Sequence, residues 1–141
     1  MKTILKSILI IFLLVAFIGC NKDDDQALTL TASVNNTSNS TGNFNGDVTG
    51  NGGSTTESFT WNNAEATADY NMDITSSARG SFRFQMKDVN GVTVLDRTLV
   101  GETAPDSYSG VTNVGTPGNW MVTITLTNFD GNGSYSASSG D

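Results

Sequence analysis

Trp120-Met121-Val122-Thr123-Ile124-Thr125-Leu126-Thr127 alternates strictly: Trp120, Val122, Ile124 and Leu126 fall on one side, Met121, Thr123, Thr125 and Thr127 on the other. Successive side chains of a β-strand point to opposite faces, so this pattern predicts a half-buried strand. An amphipathic helix would repeat its apolar residues at three and four instead. Val, Ile and Thr, branched at Cβ, also suit a pleated surface. Thr116-Pro117-Gly118 supplies a turn before this stretch, and Asn128-Phe129-Asp130-Gly131-Asn132-Gly133 reads as a second turn after it. Residues 134–138 are then expected to pair back as the final strand.

Working outward, the same period recurs. Residues 81–87 place Phe82, Phe84 and Met86 inward and Arg83, Gln85 and Lys87 outward. Asp88-Val89-Asn90-Gly91 follows with the Asn-Gly pair that accepts the positive φ of a tight hairpin, and residues 92–100 return as its partner, irregular around Asp96. Residues 65–74 alternate Ala66, Ala68, Tyr70, Met72 and Ile74 against polar positions. Residues 27–34 do the same with Leu28, Leu30, Ala32 and Val34. Residues 35–42 read as a polar loop and 43–49 as a short strand. Gly50-Asn51-Gly52-Gly53-Ser54 reads as a breaker. Residues 55–61 form a further strand with Phe59 and Trp61 on one face, closed by a turn at Asn62-Asn63. Residues 101–106 are a loop, and 107–114 a strand with Tyr108 exposed or at a rim.

Short alternating strands with turns every few residues predict an all-β fold: an antiparallel two-sheet β-sandwich, jelly-roll-like, of about seven to nine short strands. Residues 27–141 suffice for a single domain. The segments GSFRFQMKDVNGVTVL, from Gly80, and GTPGNWMVTITLTNFDGNGSYS, from Gly115, resemble the small accessory β-sandwiches of secreted bacterial enzymes, such as the prepeptidase C-terminal domain. That resemblance implies a non-catalytic module.

The N-terminus addresses the question of location. Lys2 and Lys6 precede an apolar run over residues 8–18, and Gly19 precedes Cys20. This is the layout of a secretory signal, and the run is shorter than the roughly 20 apolar residues of a membrane-spanning helix. Phe17-Ile18-Gly19-Cys20 resembles the lipobox of bacterial lipoproteins, with Phe17 where leucine is usual. The resemblance implies cleavage after residue 19 and lipidation of Cys20. An unpaired cysteine in an exported chain calls for such an explanation, since one cysteine allows no internal disulfide. Asn21-Lys22-Asp23-Asp24-Asp25 resembles the export signal of Bacteroidetes surface lipoproteins. It implies an outer-membrane lipoprotein facing the cell exterior, with Lys22, Asp23, Asp24 and Asp25 as the tag and residues 20–26 as a lipidated, acidic tether.

Charge narrows the partners. The net charge is −7, and removal of residues 1–19 takes away Lys2 and Lys6 but no acid, which leaves −9. Such a chain repels phosphate backbones, so nucleic acid is not an expected partner. The expected partners are the membrane through the anchor, and a glycan or another envelope protein.

Catalytic chemistry finds little to work with. The chain has no histidine, so no Ser-His pair exists, and zinc loses its usual ligands. Asp69 and Asp73 share a strand face, but four residues of extended chain hold their Cα atoms about 13 Å apart, too far for a glycosidase pair without convergence. No catalytic residue and no enzyme activity are expected. Asp88 with Asn90, and Asp130 with Asn132, are weak calcium candidates. Turn chemistry accounts for both segments, and Tyr135 occupies the sixth position from Asp130, where a calcium-binding helix-loop-helix needs glycine. No metal site and no cofactor beyond the covalent lipid are therefore expected. Trp61 and Tyr108 are the candidate glycan-binding aromatics, because Trp120 and Tyr70 fall on apolar faces. The expected function is a non-catalytic accessory, adhesion or envelope-complex binding module. The alternative is a small carbohydrate-binding lipoprotein of a polysaccharide uptake system.

Overall fold

The structure, a computed structural model, describes residues 29–38 and 42–140. These residues form seven antiparallel strands: β1 (Ala32–Ser38), β2 (Phe44–Asn63), β3 (Ala68–Ser76), β4 (Ser81–Lys87), β5 (Thr93–Val100), β6 (Ser107–Val111) and β7 (Gly118–Ser139). The order is β1-β2-β7-β3-β6, with β4 also on β7 and β5 on β4. The all-β, antiparallel expectation holds. Trp120, Val122, Ile124 and Leu126 are fully buried, as their alternation requires. Ala68, Tyr70, Met72 and Ile74 on β3 and Phe82, Phe84 and Met86 on β4 join them in one core.

Two strands are far longer than expected, because two apparent breaks are bends. β7 does not turn at residues 128–133; it runs on to Ser139. Residues 134–138 therefore do not pair back on 120–127. They pair with β2 on one side and β3 on the other. Asn128 and Gly131 do adopt positive φ, 46° and 146°. The chain nonetheless continues, because Phe129 between them is buried and both flanks of the strand are paired. Gly131 is required there twice over: its φ is left-handed, and a Cβ would collide with the backbone of Thr75. β2 likewise passes through the glycine-rich segment at residues 50–54, with register shifts between Asn51 and Gly53 and between Gly53 and Thr55. The amides of Asn51 and Gly53 both donate to the Thr31 carbonyl, at 3.0 and 3.2 Å. One acceptor shared by two donors, with Gly52 between them, is a local irregularity of the kind that bends a strand.

The bends divide the sheet into two halves. β7 keeps β2 along one side throughout; on its other side it pairs β4 over residues 121–127 and β3 over 131–139. Apolar faces of the halves meet. Phe84 of β4 has its ring centroid 6.2 Å from Phe44, 6.4 Å from Tyr70 and 5.7 Å from Tyr135, all on the opposite half. The result is sandwich-like, built from one continuous hydrogen-bonded system.

Three smaller corrections follow. β1 extends to Ser38, so residues 35–38 are strand rather than loop, held by pairing with β2. Leu30, expected on the buried face, is exposed, and Leu28 lies outside the described residues. The irregularity in β5 falls at Val94, not Asp96: Lys87 faces Thr93 and Met86 faces Leu95, so Val94 is the extra residue and both Val94 and Leu95 are buried.

Candidate functional site

Cys20 and the acidic tag at Lys22, Asp23, Asp24 and Asp25 lie outside the described residues. The two proposed glycan platforms do not come together. Trp61, near the end of β2, is only 5% exposed. Its ring meets Phe44 and Trp120 edge-on, at 5.2 and 5.8 Å, and its indole N–H donates to the Gly42 carbonyl. A ring so enclosed offers no face to a sugar, so Trp61 is a core residue. Phe59 and Trp61 do share one face, as read, but that face is the inner one. Tyr108 lies on β6, opposite Met72, and packs partly against the core. The Arg97 guanidinium stands 5.8 Å from its ring centre and donates to the Tyr70 hydroxyl at 3.3 Å. Tyr108 thus belongs to a cation–aromatic contact between β5 and β6.

The calcium candidates have other work. Asp88 Oδ1 accepts the amides of Asn90 and Val92 at 2.9 and 2.8 Å, and Oδ2 accepts the Thr116 amide at 2.9 Å. These donors, the Thr116 amide first, hold the Asp88 carboxyl below its ordinary value. Three N–H groups aimed at one carboxylate suit its charge and oppose a cation. Asn90 donates to the Thr116 hydroxyl at 2.9 Å, and Trp120 donates to the Thr116 carbonyl at 2.8 Å. Asp88 therefore ties the β4–β5 turn to the segment entering β7. Its turn role was legible in the sequence; its reach to Thr116, 28 residues away, was not. Around Asp130 and Asn132 there is no loop to wrap an ion, since both lie within β7. Asp130 accepts the Ser77 hydroxyl at 3.3 Å, and Asn132 stands between Thr49 and Thr75. Among the described residues no group of three or more His, Cys, Asp or Glu side chains is placed to hold a metal ion.

Asp69 and Asp73 share the outer face of β3, as expected, but diverge in their surroundings. Asp73 accepts both the amide and the hydroxyl of Ser134, whereas Asp69 sits two rows away beside Ser138. Lys87 ends β4 and pairs Met121.

What the fold does bring together is two polar outer faces. Register and alternation place Thr56, Ser58 and Thr60 of β2 beside Thr125, Thr123 and Met121 of β7. Hydroxyls pair across the strands, Ser58 with Thr123 at 3.0 Å and Thr56 with Thr125 at 3.4 Å. Arg83 grips Asp96 through two nitrogens on the same face, and this pairing lowers the Asp96 carboxyl and raises the Arg83 guanidinium. The other half is smoother. Its outward positions on β1, β2, β7, β3 and β6 are Ser, Thr, Asn and Asp, with Val111 as the apolar exception at the edge. No aromatic and no basic side chain interrupts them.

Depressions interrupt the surface formed by the described residues. One, of about 370 Å³, lies between the end of β3 and the β5–β6 loop and is lined by Glu102, Thr103 and Asp106 among others. The second, of about 330 Å³, lies on the smoother face where β2, β7 and β3 run side by side. Comparison with protein families, curated proteins and solved structures finds no match to this chain.

Proposed function

We propose that this chain is an exported lipoprotein, held at the outer membrane through Cys20 and facing the cell exterior, whose β-domain is a non-catalytic adhesion or envelope-complex binding module. The observation that carries the reading is the broad outer face of β1, β2, β7, β3 and β6, where ladders of Ser, Thr, Asn and Asp stand in register. Such a face contacts another macromolecule through many small hydrogen bonds rather than through one reactive centre. The N-terminal sequence supports the location: FIGC resembles a lipobox, and NKDDD resembles a surface export tag. Two or more acyl chains would hold the domain stably on a bilayer, which suits a residue with no disulfide partner.

The test is fractionation of cells expressing the wild-type chain or Cys20→Ala, with attachment of whole cells to surfaces and to one another measured in parallel. The reading expects membrane retention and attachment for the wild type, and loss of both for the variant. A Cys20→Ala protein that stays membrane-bound after signal cleavage contradicts the anchor. The carbohydrate-binding alternative loses Trp61 as a platform, but a different part of the surface favours it.

A further inference from the structure

We infer that the depression across β2, β7 and β3 is a binding site for a neutral saccharide. The inference rests on the reading of the domain as an exported binding module and names the ligand class and the residues that take it. The strands align so that Ser136 on β7 stands between Asn45 on β2 and Asn71 on β3. One step along, Ser138 stands beside Asp69, with Asn43 at the β2 side. The walls are thus two strand spacings apart, about 9–10 Å between backbones. Small serines on the middle strand leave the floor low. Phe44, Tyr70 and Ala137, whose side chains belong to the core, complete that floor.

Two observations bear on this row. First, among the described residues, the side chains of Asn45, Asp69, Asn71, Ser136 and Ser138 make no hydrogen bond within the protein. Elsewhere on the same face some ladders are closed, Ser33 on Thr49 at 2.9 Å and Ser134 on Asp73, while single positions such as Asp47, Asn132 and Ser109 make no side-chain hydrogen bond among the described residues. The depression therefore gathers uncommitted donors and acceptors in one place. Second, β7 changes composition between its halves. Its outward positions are Met121, Thr123, Thr125 and Thr127 before the bend, then Asn132, Ser134, Ser136 and Ser138 after it. Threonine is the better strand former and asparagine is depleted in strands, so a central row of Ser flanked by Asn and Asp works against local preference. Departures of that kind gather at functional positions.

The lining chemistry selects the ligand. A carboxamide offers both an acceptor and two donors, a serine hydroxyl donates once and accepts through two lone pairs, and a carboxylate accepts only. Together they match the vicinal hydroxyls of a sugar, each of which donates and accepts. No basic side chain lines the depression, and Asp69 repels anions, so phosphate, sulfate and uronate groups are disfavoured. No side chain there offers an apolar pocket for a peptide, because the apolar residues point inward.

The experiment uses the full chain in detergent micelles, tested for retention on immobilised neutral polysaccharides (a glucan, a mannan, a galactan and a xylan), a uronic-acid polymer and a sulfated polymer. Retention by at least one neutral polymer is expected. Ser136→Trp, which fills the depression, and Asn71→Ala, which removes one wall, should each weaken binding about tenfold or more, as loss of one or two ligand hydrogen bonds implies. Thr98→Ala, on the other half, should leave binding unchanged, and thermal melts establish that each variant is folded. No retention by any neutral polymer, retention by the charged polymers alone, or equal binding by the folded Ser136→Trp and Asn71→Ala variants overturns the inference. Cell attachment by a wild-type chain that no neutral polymer retains would sink the saccharide site and leave the adhesion reading standing. Membrane retention of Cys20→Ala would sink the anchor and leave the saccharide result untouched.

Discussion

Replacing Phe84 with alanine tests how the two halves of the sheet are joined. Phe84 is fully buried on β4, and its ring meets Phe44, Tyr70 and Tyr135 from the other half. Removing a buried phenylalanine costs about 3–5 kcal/mol, the transfer of the ring plus the cavity left behind. The edge-on and tilted ring contacts, each about 0.5–1.5 kcal/mol beyond burial, place Phe84→Ala toward the upper part of that range. Domains of this size have about 5–15 kcal/mol in total, so a third or more of the stability is at stake. The melting temperature should fall by roughly 10–20 °C. The assay is urea unfolding followed by tryptophan fluorescence, because Trp61 and Trp120 are both buried in the same core. The midpoint should drop with little change in slope, since the surface exposed on unfolding is nearly the same. Gln85→Ala, one residue along and facing outward, should change stability by no more than about 0.5 kcal/mol. A Phe84→Ala cost below about 1 kcal/mol would refute the reasoning. It would mean that the ring does not bridge the halves.

Two pH-dependent predictions come from buried hydrogen bonds. Tyr135 is buried and donates to the Asn35 carbonyl at 3.2 Å; burial, with Asp47 and Glu57 nearby, pushes its hydroxyl up to about 12. A group whose folded pKa lies above its unfolded value contributes stability that is full below the unfolded value and is lost as pH rises through the folded one. Denaturation midpoints should therefore fall between about pH 10 and 12, and Tyr135→Phe should flatten that fall while losing about 1 kcal/mol at neutral pH. Asp88 carries the opposite sign. Its carboxyl is held low by the Thr116, Val92 and Asn90 amides, so its contribution is present above the ordinary carboxylate range and lost as pH falls through the folded value. Asp88→Asn should melt below the wild type at neutral pH, and the gap should close in acid. A gap that is the same at every pH would contradict the role given to Asp88.

The strands that could be read from sequence are those whose alternation is unbroken. Residues 120–126, 68–74 and 82–86 each bury the predicted face, and the Asn90-Gly91 turn joins the predicted hairpin, with Gly91 at φ 79°. The segments at 50–54 and 128–133 misled because Gly and Asn permit a turn without requiring one. Which outcome occurs was decided by partners distant in sequence: β1 and β7 hold β2, while β2 and β3 hold β7. Local pattern also placed Trp61 on a face with Phe59 but carried no information on which face was covered. Burial there comes from Phe44 and Trp120, 17 and 59 positions away. The depression at Asn45, Asn71 and Ser136 leaves no local pattern for the same reason, since its residues meet only through register. The run of serine at alternate positions 134, 136 and 138 was the one trace of it in the sequence.

Protease treatment of intact cells, followed by detection of an epitope placed after Asp141, tests most directly the claim that this is an outward-facing surface module. Loss of the epitope from intact cells, with a periplasmic marker untouched, is the predicted result. Protection until the envelope is broken would contradict it and would reduce the residues from Asn21 to Asp25 to a plain acidic tether.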